Sequence, residues 1–416
     1  MNRITWPRCS VTVVTGMFLL FAATLFAGRV SGADDFAQPG SVQSSSMQSG
    51  SPPPDSTRSD SAQSNSSQSW PLKFHPHLDL AATYDDNILI SHTHQLRDFS
   101  FTVSPGLKLD YGDLTRNFLT LDYTAGIERF VKHTAQDAVN NYVSFRAGFN
   151  FTHLKLQLDN EFRDETSSNP QIGTRVHEEQ DLTDASVEYL FSRLFSFGLL
   201  YHQEIHHFLT PGEIDNNEFE PGVALYYHTT PKVDLYSEFD YGWVDLQRGE
   251  NQVFENITVG VRGKITPKIS GRISVGYENR DYSGTTPTTD TTTASVSLHG
   301  DFTKHTSADF SILRQITPSA TTLDTSYTAT RVDLSVSHKF FMQKVVASVG
   351  GSYEHDDYKP DEDRMDDVWQ ANVGVRYIAT KRLDAGVKYG YETDKSSIDT
   401  FSFNRNVVSI DALLHF

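Results

Sequence analysis

The last ten residues, VVSIDALLHF (407–416), alternate between apolar and polar side chains. Successive side chains of a β-strand point to opposite faces of the sheet. The stretch therefore predicts a strand with one apolar face and one mostly polar face. The apolar face carries Val408, Ile410, Ala412, Leu414 and Phe416.

The same alternation recurs over residues 195–201, 233–243, 269–277 and 383–391. In the last of these, odd positions carry Leu, Ala, Val and two Tyr, whereas even positions carry Asp, Gly, Lys and Gly. Helical periodicity is hard to find after residue 72. Period-two alternation over so much of the chain predicts an all-β protein.

Short turns punctuate this pattern, including TPKVD (230–234), TPKIS (266–270) and TKRLD (380–384). Longer polar segments alternate with them and are predicted to be loops, for example residues 163–180 and 355–366. Six such turns recur every 36 to 39 residues, and GDLTR (112–116) and FTHLK (151–155) fit less tightly. A propeller blade of similar length would hold four short strands, but each unit here holds two long ones. Eight short turns and nine longer loops predict 18 strands, with the asymmetry that is typical of membrane barrels.

The fold class is therefore predicted as a transmembrane antiparallel up-and-down β-barrel. A sheet that spans lipid must close on itself, because lipid offers no hydrogen bonds to an open edge. The apolar faces would contact outer-membrane lipid and the polar faces would line a lumen. A soluble sandwich is the alternative, but it would turn the apolar residues of two sheets toward each other. A soluble sandwich would also not require so many long strands.

The N-terminal part of the chain predicts export. Residues 1–33 combine Arg3 and Arg8 with an apolar run and the small residues Ser31 and Ala33, as a cleaved secretory signal peptide does. A retained membrane anchor is the alternative. Residues 34–71 are rich in Ser, Gln and Pro and predict a disordered linker. The barrel then occupies residues 72–416, in the outer membrane of a Gram-negative cell.

Charge and cysteine content narrow the functional classes. The net charge is −18 at pH 7, and removing the signal makes it more negative, which argues against nucleic acid as a partner. The single cysteine, Cys9, lies before the apolar run. The exported chain is thus expected to have no disulfide.

The first two predicted strands carry a family resemblance. Tyr84-Asp85-Asp86-Asn87 ends the first, and the second holds Asp98 and Ser104-Pro105-Gly106. These segments resemble a family of outer-membrane β-barrel porins of the porin 2-like type, whose members are often associated with exopolysaccharide or capsule export. The resemblance implies polysaccharide export components as partners and no catalysis. Asp and Asn at a strand end are also good turn builders.

The final strand, which ends on Phe416, resembles the assembly signal of bacterial outer-membrane barrels. That resemblance implies the barrel-assembly machinery as a partner.

We predict a porin or channel, and interpret it as a conduit for exopolysaccharide or oligosaccharide. Two alternatives are a structural or surface-interaction barrel with a closed lumen and a barrel enzyme. No nucleophile elbow, phosphate-binding loop or dinucleotide motif is found, so no enzyme and no cofactor are predicted. Inward parity assigns these residues to the lumen wall: Asp122, Glu238, Asp240, Arg272, Glu278, Arg376 and Lys388.

Two clusters are candidates for metal binding. His202, Glu204 and His206 share the inward parity of one strand, at a spacing that suits either a zinc site or a hydrated lumen wall. The acid-rich segment 354–367 could bind calcium through its oxygens, or it could be a solvated loop, because it lacks the order of an EF-hand. No metal is predicted, and the three residues on the strand stay weak candidates.

Overall fold

Eighteen antiparallel strands form one sheet that closes on itself, as the sequence predicts. The computed structural model describes residues 72–113, 116–321, 325–359 and 364–416, so the predicted signal peptide and linker lie outside the described residues. The strands are β1 (Lys73–Asp85), β2 (Asp98–Gly112), β3 (Phe118–Phe130), β4 (Ala138–Asn150), β5 (Leu154–Asn169), β6 (Thr174–Leu190), β7 (Phe195–Phe208), β8 (Asn216–Thr230), β9 (Val233–Leu246), β10 (Gln252–Gly263), β11 (Ile269–Tyr282), β12 (Thr289–Asp301), β13 (Thr306–Pro318), β14 (Ser326–Phe340), β15 (Val345–Lys359), β16 (Met365–Ile378), β17 (Leu383–Ser396) and β18 (Phe403–His415).

Each strand pairs with its neighbours in the chain, and the barrel closes where β1 meets β18. That pairing runs from His77 opposite His415 to Asp85 opposite Val407. Closure leaves the sheet without a free edge, which is the condition for a sheet to cross lipid.

Side chains alternate around the barrel as the sequence pattern requires. Ile410 on β18 is 59 % exposed on the outside, whereas Asp411 beside it is 3 % exposed and faces inward. Val387 and Tyr389 on β17 are likewise exposed on the outside. An apolar exterior around a polar interior is the arrangement of a membrane barrel rather than of a soluble one.

The two ends of the barrel differ. Eight connections of two to five residues, such as 231–232 and 264–268, lie at what we call the turn end, together with the first residue of β1 and the last of β18. Nine connections lie at the opposite loop end, and the first of them, 86–97, is the longest. Two single-turn 3₁₀ helices, Thr134–Gln136 and Asp399–Phe401, lie in loop-end connections. None of the helices among the described residues is long and apolar enough to cross a membrane.

The sequence-based bounds are wrong at two loop-end connections. Residues 163–180 were expected to be a loop, but β5 continues to Asn169 and β6 begins at Thr174. Residues 355–366 were expected to be another, but β15 continues to Lys359 and β16 begins at Met365. In both places the strands extend as ladders with polar residues on both faces, for example Glu165 opposite Glu178. A strand without an apolar face gives no period-two signal.

Candidate functional site

The tip of the β5–β6 hairpin, which we define as residues 168–173 and call the hairpin tip, lies across the loop end of the lumen. It contacts connections that join distant strands. Ser168 Oγ donates a hydrogen bond to the carbonyl oxygen of Ile88, in the β1–β2 connection, at 3.2 Å. Gln171 Nε2 donates to Ser319 Oγ, next to β13, at 3.4 Å. Because β5 and β13 are far apart in the sheet order, these contacts bridge the mouth of the barrel.

Arg364 holds the same tip from the β15–β16 side. Its Nη2 donates to the carbonyl oxygen of Gln171 at 3.0 Å and pairs with Asp366 at 2.5 Å. Its guanidinium lies over the rings of Tyr358 and Phe401, at 4.3 and 3.5 Å from their centroids. A fully buried guanidinium with these partners is a rigid anchor for the hairpin.

Apolar side chains also pack against the hairpin tip. Val176 and Phe208 form a small cluster with Ala320, and Ile172 of the hairpin tip packs against it. The amide of Ile214 donates to the carbonyl oxygen of Ala320 at 2.8 Å. The tip is therefore packed and hydrogen-bonded on several sides at the mouth of the barrel.

Neighbouring connections at the loop end are also tied together. Glu250, between β9 and β10, accepts hydrogen bonds from the amides of Thr285 and Thr286, between β11 and β12. These hydrogen bonds lower the pKa of the Glu250 carboxyl. The link is therefore present at neutral pH and weakens as falling pH protonates the carboxylate.

A cavity of about 560 Å³ lies in the lumen beneath the hairpin tip, with residues 168–171 in its lining. Carboxylates outnumber arginines in its wall. The carboxylates are Asp159, Glu178, Asp184, Glu188, Glu204, Glu218, Glu220, Glu238, Asp240, Glu278, Glu354 and Asp356, and the arginines are Arg262, Arg272, Arg280, Arg314 and Arg331.

Two of the arginines stack on tyrosines and pair with carboxylates. Arg262 pairs with Glu188 at 2.6 Å and lies 3.6 Å from the centre of the Tyr226 ring. Arg272 pairs with Glu238 at 2.6 Å and lies over the Tyr236 ring. Such planar contacts fix the guanidinium and occupy its donors.

The other three arginines are also bound. Arg280 pairs with Glu278 at 2.7 Å, and Arg331 pairs with Glu354 at 2.9 Å. Arg314 donates to neutral oxygens, including the carbonyl of Thr292. The cations of this wall are thus already engaged by the protein.

Three carboxylates of the same wall are not engaged. Glu220, Asp240 and Asp356 make no side-chain hydrogen bond and no ion pair within the part of the chain that the structure describes. Asp240 is only 5 % exposed. Its position depends on Gly222 opposite it, because a Cβ there would lie 2.0 Å from Asp240 Oδ1. The cavity wall therefore contains carboxyl groups that no side chain of the described part of the protein holds.

The predicted metal candidates are held by carboxylates instead. His206 Nε2 lies 2.6 Å from Glu204, and its Nδ1 contacts Glu178. His202 Nδ1 lies 2.9 Å from Asp184. Because ionised carboxylates only accept hydrogen bonds, two such contacts require a proton on each nitrogen of the His206 ring. Among the described residues no group of three or more His, Cys, Asp or Glu is placed to hold a metal ion.

The predicted lumen residues divide into two sets. Glu238, Asp240, Arg272 and Glu278 line the cavity. Arg376 and Lys388 lie outside its lining and both approach Asp411, at 3.3 and 4.0 Å. Asp122 is also inward and partly buried outside the cavity lining.

The acid-rich segment 354–367 does not form one loop. Glu354 and Asp356 lie in β15, and Asp366 and Asp367 lie in β16. Residues 361–363 lie outside the described residues. Calcium binding by this segment stays untested.

Sequence reasoning missed what Asp85, Asp86 and Asn87 do. Asp85 pairs with Arg405 of β18 at 2.5 Å, and Asp86 accepts hydrogen bonds from the backbone and side chain of Asn406. Asn87 is fully buried and donates to the carbonyl oxygen of Asn404. These residues also build the turn as interpreted, because the Asn87 amide donates to Asp85 Oδ1 and the Ser91 amide donates to Asn87 Oδ1. The contacts with Arg405, Asn406 and Asn404 tie β1 to β18 at the loop end.

The closed barrel and its polar lumen define a porin-like β-barrel of the outer-membrane type. The family model described as "Putative beta-barrel porin 2" matches residues 73–416, and the chain belongs to that family. A search of curated protein sequences finds no significant match.

Several solved structures resemble the barrel. OpdK, an outer membrane protein from Pseudomonas aeruginosa, is 9 % identical, with 83 % of this chain and 99 % of that chain covered and a TM-score of 0.43. OccK2 (OpdF) from the same organism, solved with glucuronate, is 10 % identical over 82 % and 98 % of the two chains, with a TM-score of 0.43. OccAB3 from Acinetobacter baumannii is 10 % identical over 82 % and 99 %, also with a TM-score of 0.43. At such identities and TM-scores, the resemblance carries no information on what this chain transports.

Proposed function

We propose that this barrel is a conduit for an exopolysaccharide or an oligosaccharide across the outer membrane. The observation that carries the proposal is the cavity of about 560 Å³ inside a closed 18-stranded barrel. A barrel of this size leaves an aqueous channel unless it is plugged. The cavity wall is rich in carboxylates, hydroxyls and amides, which suit a ligand made of hydroxyl groups.

The saccharide class comes from the family resemblance of the first two strands, with export components as the proposed partners. Lipid contact by the outward faces, and recognition of residues 408–416 by the assembly machinery, belong to the same proposal. The seven predicted lumen residues are proposed to line the path of the saccharide.

Transport requires the hairpin tip to move. The contacts of the hairpin tip with Ile88, Ser319 and Arg364 bridge the mouth at the loop end. Each of these three contacts is a single hydrogen bond rather than strand pairing. Loops that cover a channel are drawn from the less stable parts of a structure. The tip is therefore proposed as a gate, with the present conformation as the closed state.

The same contacts favour a second candidate function, a structural or surface-interaction barrel whose lumen stays closed. In that case the loop-end surface would carry the function. The two candidates differ in whether a sugar can ever cross the barrel.

Flux of a sugar into proteoliposomes separates them. Purified barrel would be reconstituted into vesicles, and swelling in an iso-osmotic solution of an uncharged disaccharide would be recorded. Vesicles without protein serve as the control. Swelling faster than the control supports the conduit. Swelling equal to the control, from protein shown to be folded and inserted, would contradict it and support the closed barrel.

A further inference from the structure

The cavity has a preference for charge that the proposed function does not specify. Glu220 and Asp240 lie on neighbouring strands, and neither makes a side-chain hydrogen bond or an ion pair within the part of the protein that the structure describes. Asp240 is nine-tenths buried, unpartnered and part of the cavity wall. A buried carboxylate without a partner is costly, so a cation from outside would stabilise it.

Competition from the protein's own cations is small here. The four arginines Arg262, Arg272, Arg280 and Arg331 are each paired with another carboxylate. Arg314 is bound to neutral oxygens. An anionic ligand would therefore meet carboxylates without an ion pair. Arg314 is the one arginine of this described wall without a carboxylate partner, and His202, which lies opposite Glu220, is bound to Asp184.

The wall beside Asp240 carries neutral hydrogen-bonding groups. Asn256 lies opposite Asp240 and Thr258 lies opposite Glu238 in the pairing of β9 with β10. Thr293 donates to Asn256 Oδ1 at 3.2 Å. The neutral polar residues of the cavity lining in this region are Asn256, Thr258, Ser274, Thr293 and Ser295.

We propose that the cavity binds a saccharide that bears a free amine. This proposal rests on the proposed conduit function and names the substrate class of the same site. The ammonium would lie between Glu220 and Asp240, and the ring hydroxyls would bind Asn256 and Thr258. The ligand is an amine rather than a bare metal ion, because the described carboxylates are not placed to coordinate one. An ammonium with three donors suits spaced carboxylates.

Calorimetric titration of the full barrel in detergent tests this binding without requiring conduction. Three probes would be compared: the disaccharide of glucosamine, its N-acetylated form, and spermidine as an amine without a sugar. The glucosamine disaccharide is expected to bind about tenfold more tightly than either of the others, which corresponds to about 1.4 kcal/mol. Equal affinity for the acetylated form would overturn recognition of the amine, and equal affinity for spermidine would overturn recognition of the sugar.

A matched pair of variants locates the site. Asp240→Asn is expected to remove the preference for the amine. Asp79→Asn makes the same change at an inward carboxylate of β1 that has no ion pair among the described residues and lies outside the cavity lining. It should leave the preference unchanged. Loss of the preference in both variants, or in neither, would contradict the assignment. A barrel that binds the disaccharide yet passes no sugar would refute the conduit and keep this site.

Discussion

At the scale of single residues, the barrel seam depends on side chains that lie at opposite ends of the sequence. Asp85 and Arg405 are separated by 320 positions, and their ion pair joins the first strand to the last. The sequence identified the motif that contains Asp85 but not its partner. Sequence spacing carries no signal for a pair that only barrel closure brings together.

Removal of the arginine should weaken the seam. Arg405→Met leaves the Asp85 carboxylate buried without its cation, and breaking a buried pair costs about 3–5 kcal/mol. Urea unfolding of the folded barrel would measure this loss. Arg146→Met is the control, because its pair with Asp159 is half-exposed and worth about 0–1 kcal/mol. Equal losses in the two variants would refute the role of the seam pair.

The acidic wall should set ion selectivity. Changing Glu238, Asp240 and Glu278 together to their amides removes three inward negative charges from the cavity wall. The preference for cations should then fall, because rings of acidic side chains favour cations in pores. Reversal potentials across a salt gradient would measure it. An unchanged potential would show that these residues do not line the path of the ions.

At the scale of elements, period-two alternation predicts where a strand lies in lipid and fails where both of its faces are polar. The stretch TRVHEEQ at the start of β6 has no apolar face, so it was interpreted as a loop. The hairpin tip, which is the most informative part of the site, therefore escaped sequence analysis. The positions of β9 and β11 follow the prediction closely, because their outward faces over residues 233–243 and 269–277 are apolar except at Ser237 and Gly271.

A cross-link that fixes the hairpin tip in its present position should stop transport. Gln171 and Ser319 touch each other, and the chain has no cysteine after Cys9. A variant with cysteines at both positions would be cross-linked with a reducible bifunctional reagent. Sugar flux into proteoliposomes is expected to fall on cross-linking and to recover on reduction. The single-cysteine variants are the controls. Undiminished flux through the locked protein would exclude the hairpin tip as the gate.

The last strand should matter for assembly more than for stability. Phe416 is 71 % exposed, and its amide donates a hydrogen bond to the carbonyl oxygen of Pro76 in β1 at 3.1 Å. Deletion of Phe416 is expected to lower the amount of folded barrel in cells while leaving refolding in detergent intact. Heat-modifiable gel mobility reports both. Normal assembly of the truncated chain in cells would contradict the assembly-signal interpretation.

At the scale of the whole molecule, closure and strand number could be predicted because each follows from a repeated local pattern. The contacts across the mouth could not be predicted, because they join connections that are far apart in the chain. Ser168 meets Ile88 across 80 positions, and Gln171 meets Arg364 across 193. Asp240 could be placed in the lumen by parity, but its lack of a partner could be recognised only from the positions of the arginines.

The central claim is that this barrel is a channel whose mouth is closed by the β5–β6 hairpin. Single-channel conductance in a planar bilayer tests it most directly, with the natural chain beside a variant in which residues 166–177 are replaced by Asn-Gly. Glu165 and Glu178 face each other in the ladder, so a two-residue turn can join them in register. The account predicts small or rare openings for the natural chain and a stable, larger open level for the shortened one. Silence from both proteins, each shown to be folded and inserted, would contradict it.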